Sequence, residues 1–381
     1  MILLLVLPLA LCGVATSAQG ICLEGDFDSQ VQWFIDNVMF SSEDEAEIKQ
    51  VLDDLKDTMQ RRWPGTEVYP HGSSATGVGI KSSDADCYVK IPNFNTSADL
   101  YVLGEASRLL QQQPHMYTDL RYELVPTTGV SALLTFRHAR TGRSCDVTFT
   151  NNSIYQSSAA NAYYFNLNDN YKPLVAIIKD WFQVHHLDEK TNLISFNLYL
   201  LVIFYLQQLD MVPPAFALQR NHTNVEGIWD LSFDEIPYNS TNTASLYQLL
   251  GGFFTYYSDF NFKEFIVSPY AGRPIRKSDF LETDSLPDIF YLYKRNMRET
   301  ELKPIDTDKA MIMQSMFEHH LNVAETVTQD QVDSFTSQVQ IAAKLYKDLP
   351  RDEFLKALLS NSQDEDHMAT NNCNNTSIQP I

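Results

Sequence analysis

Apolar residues recur along this chain with two periods, and the balance between them changes near residue 155. Before that point helical spacing alternates with β-rich runs. Val31, Phe34, Ile35 and Val38 predict a helix over residues 28–40. Ile48, Val51, Leu52, Leu55 and Met59 predict a second, with Ser42 and Glu45 as its capping box and Trp63-Pro64-Gly65 as its stop. A strand over 87–91 ends at Pro92, and Leu100, Leu103, Ala106 and Leu110 place a helix within 97–113. Three β-rich runs follow, at 120–125, 132–137 and 144–150, the last two joined by a hairpin turn at Gly142.

Beyond residue 155 the pattern is mostly helical. Leu174, Val175, Ile178, Trp181 and Phe182 share one helix face, and residues 194–209 are apolar nearly all round, the mark of a buried central helix. Pro213-Pro214 interrupts it, and further helices are expected at 245–260 and 330–349. The chain from residue 360 is polar and Asn-rich, with the composition of a disordered tail. The reading is an α+β protein: a small mixed-sheet domain over 60–160, then a mostly helical domain over 161–350 that also takes in helices from 28–59.

Composition narrows this picture. At 381 residues and 44% hydrophobic the chain can bury a sizeable core. A formal net charge of −20 excludes nucleic-acid binding by bulk attraction, so a polyanionic ligand must be held by local basic groups and metal ions. The apolar run Ile2–Cys12, followed by small residues up to Ala18, reads as a signal peptide over 1–18 and predicts secretion or residence in the secretory lumen, with a misassigned start or a buried N-terminal strand as the alternative. No later window is apolar enough to anchor the chain in a membrane. Sequons at Asn95, Asn151, Asn221, Asn239, Asn374 and Asn375 are compatible with a glycoprotein. Without Cys12, four cysteines remain: Cys22, Cys87, Cys145 and Cys373.

The chemistry concentrates in residues 70–90, PHGSSATGVGIKSSDADCYVK. Asp84 and Asp86 stand two apart on a predicted strand and so face the same way. The small-residue loop before them offers backbone N–H groups to phosphate oxygens. Asp146, on the strand after the Gly142 turn, supplies a third carboxylate. Three such ligands on rigid strands suit two hard cations, which together activate an attacking hydroxyl and stabilise a leaving pyrophosphate. A merely solvated acidic edge is the bland alternative. If Asp86 lies opposite Asp146 in an antiparallel pair, Cys87 lies opposite Cys145 on the reverse face. That predicts a cross-strand disulfide, with two small buried hydrophobes as the alternative and Cys22 and Cys373 paired or free.

The pattern Gly72-Ser73-x3-Gly77-x5-Ser83-Asp84-x-Asp86, with Asp146 downstream, resembles the DNA-polymerase-β-type nucleotidyltransferases. Within them, the chain resembles the noncanonical poly(A) polymerases and terminal uridylyltransferases. Three more stretches carry the likeness: Leu174 to Trp181, Leu193 to Leu198, and Gly251 to Tyr257. Gln314 to Val323 resembles a worn form of the family's nucleotide-recognition segment. The resemblance implies a catalytic domain and a helical domain with a cleft between them. Asp84, Asp86 and Asp146 would hold two Mg2+ or Mn2+ ions, with Asp146 also the base for the acceptor hydroxyl. Gly72, Ser73, Ser83, Lys179 and Ser195 would contact the triphosphate of ATP or UTP, and Phe196 would stack on its base. The alternatives are a solvated helix face for Lys179 and a core position for Phe196.

Departures from the family pattern bear on nucleotide binding. Gln183 stands where a second lysine is common. The ribose-binding Asn aligns with Ser157, and Asn161 lies one turn on. Ser315-Met316 replaces Asp-Pro, and Leu321 takes the place of a base-reading His, after His319 and His320, which read as surface residues. The implied activity is metal-dependent addition of AMP or UMP to an RNA 3′ end, with no protein partner inferable. The alternative is a secreted binding protein that keeps the fold with little activity.

Overall fold

The computed structural model describes residues 23–92, 99–127, 129–149, 152–222 and 224–360. The sequence-predicted signal segment, the sequons at Asn95, Asn151, Asn374 and Asn375, Cys22, Cys373 and the polar tail lie outside them.

Two N-terminal helices open the fold. Helix α1 (Phe27–Asn37) is capped by Asp26, and α2 (Ser42–Gln60) by a capping box of Ser41 and Asp44, one residue earlier than the spacing predicts. Then come β1 (Glu67–Pro70), the short helix α3 (Gly72–Thr76), β2 (Ala85–Lys90), α4 (Asp99–Gln111), β3 (Tyr117–Thr127), β4 (Gly129–His138) and β5 (Ser144–Thr148). The five strands form one mixed sheet in the order β1-β2-β5-β4-β3.

The pairing of β2 with β5 corrects one expectation. The strands are parallel, with Asp86 opposite Asp146, Cys87 opposite Val147 and Cys145 opposite Ala85. The chain between them runs through α4 and the β3–β4 hairpin, which gives the crossover that a parallel neighbour requires. Parallel register staggers Cys87 and Cys145 by two residues instead of setting them face to face. Both are free, buried thiols, not the predicted disulfide. Each makes a weak hydrogen bond to the carbonyl two residues before it, Cys87 to Ala85 and Cys145 to Arg143.

Alternation along the strands divides the sheet's faces. Ala85, Cys87, Val89, Cys145 and Val147 point into a core closed by Val51, Leu55 and Met59 of α2 and by Val102, Ala106 and Leu110 of α4. The other face carries Asp86, Tyr88 and Asp146. Arg143, in the turn before β5, reaches α2 through Glu47 at 2.9 Å and through Asp44, pinning the hairpin that delivers Asp146.

The remaining helices build a second core. They are α5 (Asn152–Asn166), α6 (Tyr171–Val184), α7 (Leu187–Thr191), α8 (Ser195–Gln208), α9 (Leu246–Ser258), α10 (Lys277–Leu281), α11 (Tyr291–Glu299), α12 (Gln329–Asp348) and α13 (Arg351–Leu358). Two short strand pairs also occur, β6 (Val225–Glu226) with β7 (Trp229–Asp230), and β8 (Phe265–Ile266) with β9 (Ile275–Arg276). Every residue from Asn197 to Gln207 of α8 is buried, as its all-round apolarity predicts. Phe27 and Phe34 of α1 join this helical core, while α2 packs on the sheet. The two N-terminal helices are thus divided between the cores, instead of both serving the helical one. Helix α5 was not predicted; its Ser-, Ala- and Asn-rich sequence weakens the apolar period.

Candidate active site

Gly72, Ser73, Ser83, Asp84, Asp86, Asp146, Ser157, Asn161 and Lys179 lie on or beside β2, β5, α3, α5 and α6, whereas Ser195 and Phe196 lie on α8. The stretch read as a loop is helix α3, bounded by His71 in extended conformation and Gly77 in the left-handed region. Gly72 has φ 55°, and a Cβ there would run into the Asp86 carboxylate, so glycine is required on both counts. α3 is fastened to β2: His71 N–H donates to the Asp86 carbonyl at 3.0 Å, and Asp86 N–H to Ser74 Oγ at 3.3 Å.

That fastening changes the predicted phosphate cradle. Gly72 N–H donates to Ser158 Oγ of α5 at 3.0 Å, and Ser73 N–H to the Asp86 carboxylate. Both donors are engaged within the protein, not free. A helical turn aims its first N–H groups in one direction, and here α5 and Asp86 lie in that direction. The hydroxyl of Thr76 closes the turn on the Gly72 carbonyl at 3.0 Å.

Lys179 of α6 is buried, 4% exposed, and donates to Ser83 Oγ at 2.7 Å; that oxygen also accepts from Ile80 N–H at 3.1 Å. One turn on, Gln183 accepts from Ser82 Oγ at 2.9 Å. α6 therefore grips the turn before Asp84 at two points. Burial lowers Lys179 to about 8, against the pull of Asp86 and Asp84. Burial, and next the Asp146 charge, raise Asp86 to about 7, with Lys179 opposing. Asp84, at the solvent-facing rim, is raised by its protein surroundings and held down by Lys179 and Arg143.

Asp86 and Asp146 are direct neighbours on adjacent strands, a separation of about 4.8 Å in the backbone. A carboxylate whose affinity for protons is raised by burial and by a neighbouring carboxylate has the oxygen-donor chemistry that a hard divalent cation neutralises. The donor set fits such an ion. Among the described residues, however, no three acidic, His or Cys side chains are gathered closely enough to form a finished cage. The three predicted ligands are thus a close pair plus a rim carboxylate coupled to it by charge.

On the facing helices, Ser195 and Phe196 are half-buried at the start of α8, with Phe196 packed against the helical core. Ser157 and Asn161 are buried one turn apart on α5, and Asn161 Oδ1 has no hydrogen-bond partner. The recognition segment is internally occupied. Gln314 takes a hydrogen bond from Ser268 at 2.6 Å and gives one to the His319 carbonyl at 2.9 Å. His319 is not a surface residue: it is fully buried between Tyr270 and Trp229, and burial lowers it to about 3. His320 stacks on Trp229 with centroids 5.1 Å apart. Four further neighbours escaped the sequence reading. They are Ser158 on Gly72, Arg143 near Asp84, Lys172 over Gly77, and Tyr199, whose buried ring approaches Thr76 and Asp86. Each comes from an element remote in sequence, with no local motif to mark it.

Residues 27–164 match the family described as "Poly(A) RNA polymerase, mitochondrial-like, central palm domain", and residues 245–300 match "Cid1 family poly A polymerase". The chain belongs to the noncanonical poly(A) polymerase and terminal uridylyltransferase family. Among relatives of this polymerase-family chain, human terminal uridylyltransferase 7 is 27% identical over 263 residues, 63% of this chain and 17% of its own length. The Danio rerio poly(A) RNA polymerase GLD2 is 29% identical over 242 residues, 60% of this chain and 48% of its own length. The match thus spans less than half of either relative. The family fold is shared with solved structures: mtPAP in complex with UTP (TM-score 0.72, 20% identity, 89% of this chain and 73% of that one) and Cid1 poly(U) polymerase (TM-score 0.68, 20% identity, 88% and 98%).

Proposed function

We propose that this chain is a metal-dependent nucleotidyltransferase that adds AMP or UMP from ATP or UTP to an RNA 3′ end and releases pyrophosphate. The observation that carries the reading is the in-register Asp86–Asp146 pair with Lys179 buried beside it. Mg2+ or Mn2+ bound by Asp84, Asp86 and Asp146 would supply Lewis acidity and charge neutralisation at the reacting phosphate. Asp146 accepts the proton of the acceptor 3′-hydroxyl as its oxygen bonds to the α-phosphorus. The α–β bridging P–O bond breaks, and pyrophosphate leaves with its electron pair. Lys179 and Ser83 neutralise and orient the outer phosphates. Ser157 and Asn161 face the sugar, and Phe196 supports the base. Extension of a labelled oligonucleotide with each of the four NTPs tests this. Activity is expected in the wild type and lost in Asp86→Ala; undiminished extension by that variant would remove the assignment.

A second reading has its own support: Gly72 and Ser73 N–H groups are occupied by Ser158 and Asp86. It makes the chain a binding protein with this fold and little turnover. Calorimetry with ATP and UTP in the presence of Mg2+ separates the two, since no heat with any NTP favours binding of something else. For localisation, the reading is secretion, with residues 1–18 as the signal peptide. Asn221 and Asn239 are exposed, as glycan acceptors must be, and no helix among the described residues is long and apolar enough to cross a membrane. Expression through the secretory pathway should give a glycosidase-sensitive protein in the medium; retention of the unprocessed chain would argue against this.

A further inference from the structure

The carboxylate face of the sheet holds a second chemical feature. Tyr88 follows Asp86 by two residues on β2 and so shares its face, about 7 Å further along the strand. Its cross-strand partner on β1 is Tyr69, and Tyr155 of α5 closes over both. The three rings form one mutually contacting cluster. Tyr88 and Tyr155 have centroids 5.6 Å apart at 23°, Tyr69 and Tyr88 6.4 Å at 22°, and Tyr69 and Tyr155 5.1 Å at 43°. Tyr88 is buried at the base, while Tyr69 and Tyr155 are half-exposed. Glu67 fixes Tyr69 by accepting its hydroxyl proton in a hydrogen bond.

Beside Tyr155 lies a cleft of about 250 Å³, lined by Pro70, Ser74, Ala75, Tyr155, Ser158 and Ala159. None of these six carries a charge. Ser74 accepts from Asp86 N–H and Ser158 from Gly72 N–H, so the cleft adjoins the candidate catalytic centre directly. A flat aromatic wall, two hydroxyls and no ammonium or guanidinium make a poor grip for phosphate and a good one for a nucleobase, because every base presents a π-face.

We propose that Tyr69, Tyr88 and Tyr155 form a stacking platform for unpaired bases at the 3′ end of a single-stranded acceptor, seated in the cleft beside Tyr155. The proposal rests on reading Asp86 and Asp146 as the catalytic pair. It also reconciles an acidic chain with a polyanionic acceptor: with no cation lining the cleft, few counterions are released on binding and the dependence on salt is shallow.

The test titrates the full chain with a 5′-labelled single-stranded oligoadenylate by fluorescence anisotropy, at low and high salt, and measures extension in parallel. Tyr155→Ala should weaken oligonucleotide binding, and raise the KM for oligonucleotide, by about tenfold. The KM for NTP should stay within about twofold. Tyr155→Phe, which keeps the ring, should bind like the wild type. Tyr69→Ala, on the exposed edge strand, is the second variant should Tyr155→Ala fail to fold, and should weaken binding by about threefold. Unchanged binding in folded alanine variants, a steep loss of wild-type affinity with salt, or equal affinity for a blunt duplex would each overturn the platform. Binding and chemistry are read separately. Tyrosine-dependent binding without extension removes the transferase and keeps the platform; extension with unchanged oligonucleotide KM in both variants does the reverse.

Discussion

At the carboxylate end of the cleft, Asp86, Asp146, Asp84 and Lys179 hold like and unlike charges close together in partial burial. At the recognition segment, polar side chains satisfy one another instead. Asn322 alone accepts from Met313 and Ala324 N–H at 2.9 and 3.0 Å and donates to the Met311 carbonyl at 2.9 Å. The first region stores unfavourable electrostatics, which a folded chain retains where chemistry uses them. The second spends its polarity on holding a loop in shape. Unrelieved charge thus gathers at one end of the candidate site and satisfied polarity at the other, and substitutions at either end probe that contrast.

The largest effect is expected at the carboxylates. Asp86→Asn should lower extension by about a thousandfold or more, comparable to losing a principal electrostatic contact. The same variant should be more stable than the wild type when no divalent ion is present. Asp86 is raised from 3.8 to about 7, so the folded state binds more protons than the unfolded state between those values. Stability therefore falls as pH rises through that window, by an order of 1–2 kcal/mol. Melting in chelator at pH 8 should show Asp86→Asn above wild type, with the gap closing near pH 4; a gap that widens on acidification would contradict the assignment.

His319 gives the opposite profile at the other end. Its imidazole is lowered from 6.5 to about 3, so the unfolded state binds the extra proton between those values. Stability is complete above pH 6.5 and is lost as pH falls, by roughly 2 kcal/mol at pH 5. His319→Phe should reduce that acid sensitivity and leave the preference among NTPs unchanged. A switch in preference would make the buried ring a base reader after all.

Gln183→Lys should have a smaller effect. It exchanges the Ser82 hydrogen bond for a second positive charge on the helix face beside Lys179, and should tighten NTP binding by about threefold at low salt. Calorimetry that shows weaker binding would mean the Ser82 contact matters more than the charge. Least of all is expected from the thiols. Cys87→Ala should shift the melting midpoint by only about a degree or two in either direction, and reductant should not move the wild type. Alkylation after denaturation without reductant should label both Cys87 and Cys145.

Much of the fold was legible because periodicity reports burial locally. The all-apolar run of α8 announced a buried helix, and Asp84, Asp86 and Asp146 stood out through their spacing and the small residues before them. Register between strands was not local. β2 and β5 are separated by residues 91–143, and nothing in either strand states whether the intervening crossover makes them parallel. One wrong orientation was enough to turn two buried thiols into an expected disulfide. Helix α5 was missed for a related reason: its polar face serves Gly72, Asp86's neighbourhood and Glu318 instead of solvent, so its pattern resembled a loop.

The positions of Asp84, Asp86, Asp146 and Lys179 along the chain, the long periodic helices and the family resemblance were legible from the sequence alone. Only the tertiary structure decided how those charges meet. It set Asp86 beside Asp146, buried Lys179 against Ser83, and engaged the Gly72 and Ser73 donors. It also enclosed His319 between two aromatic rings and stacked three tyrosines from β1, β2 and α5. Local sequence sets conformation through steric and periodic rules that act over a few residues. Ionisation, exposure and stacking depend on neighbours brought in from distant parts of the chain, so they exist only once the fold has formed.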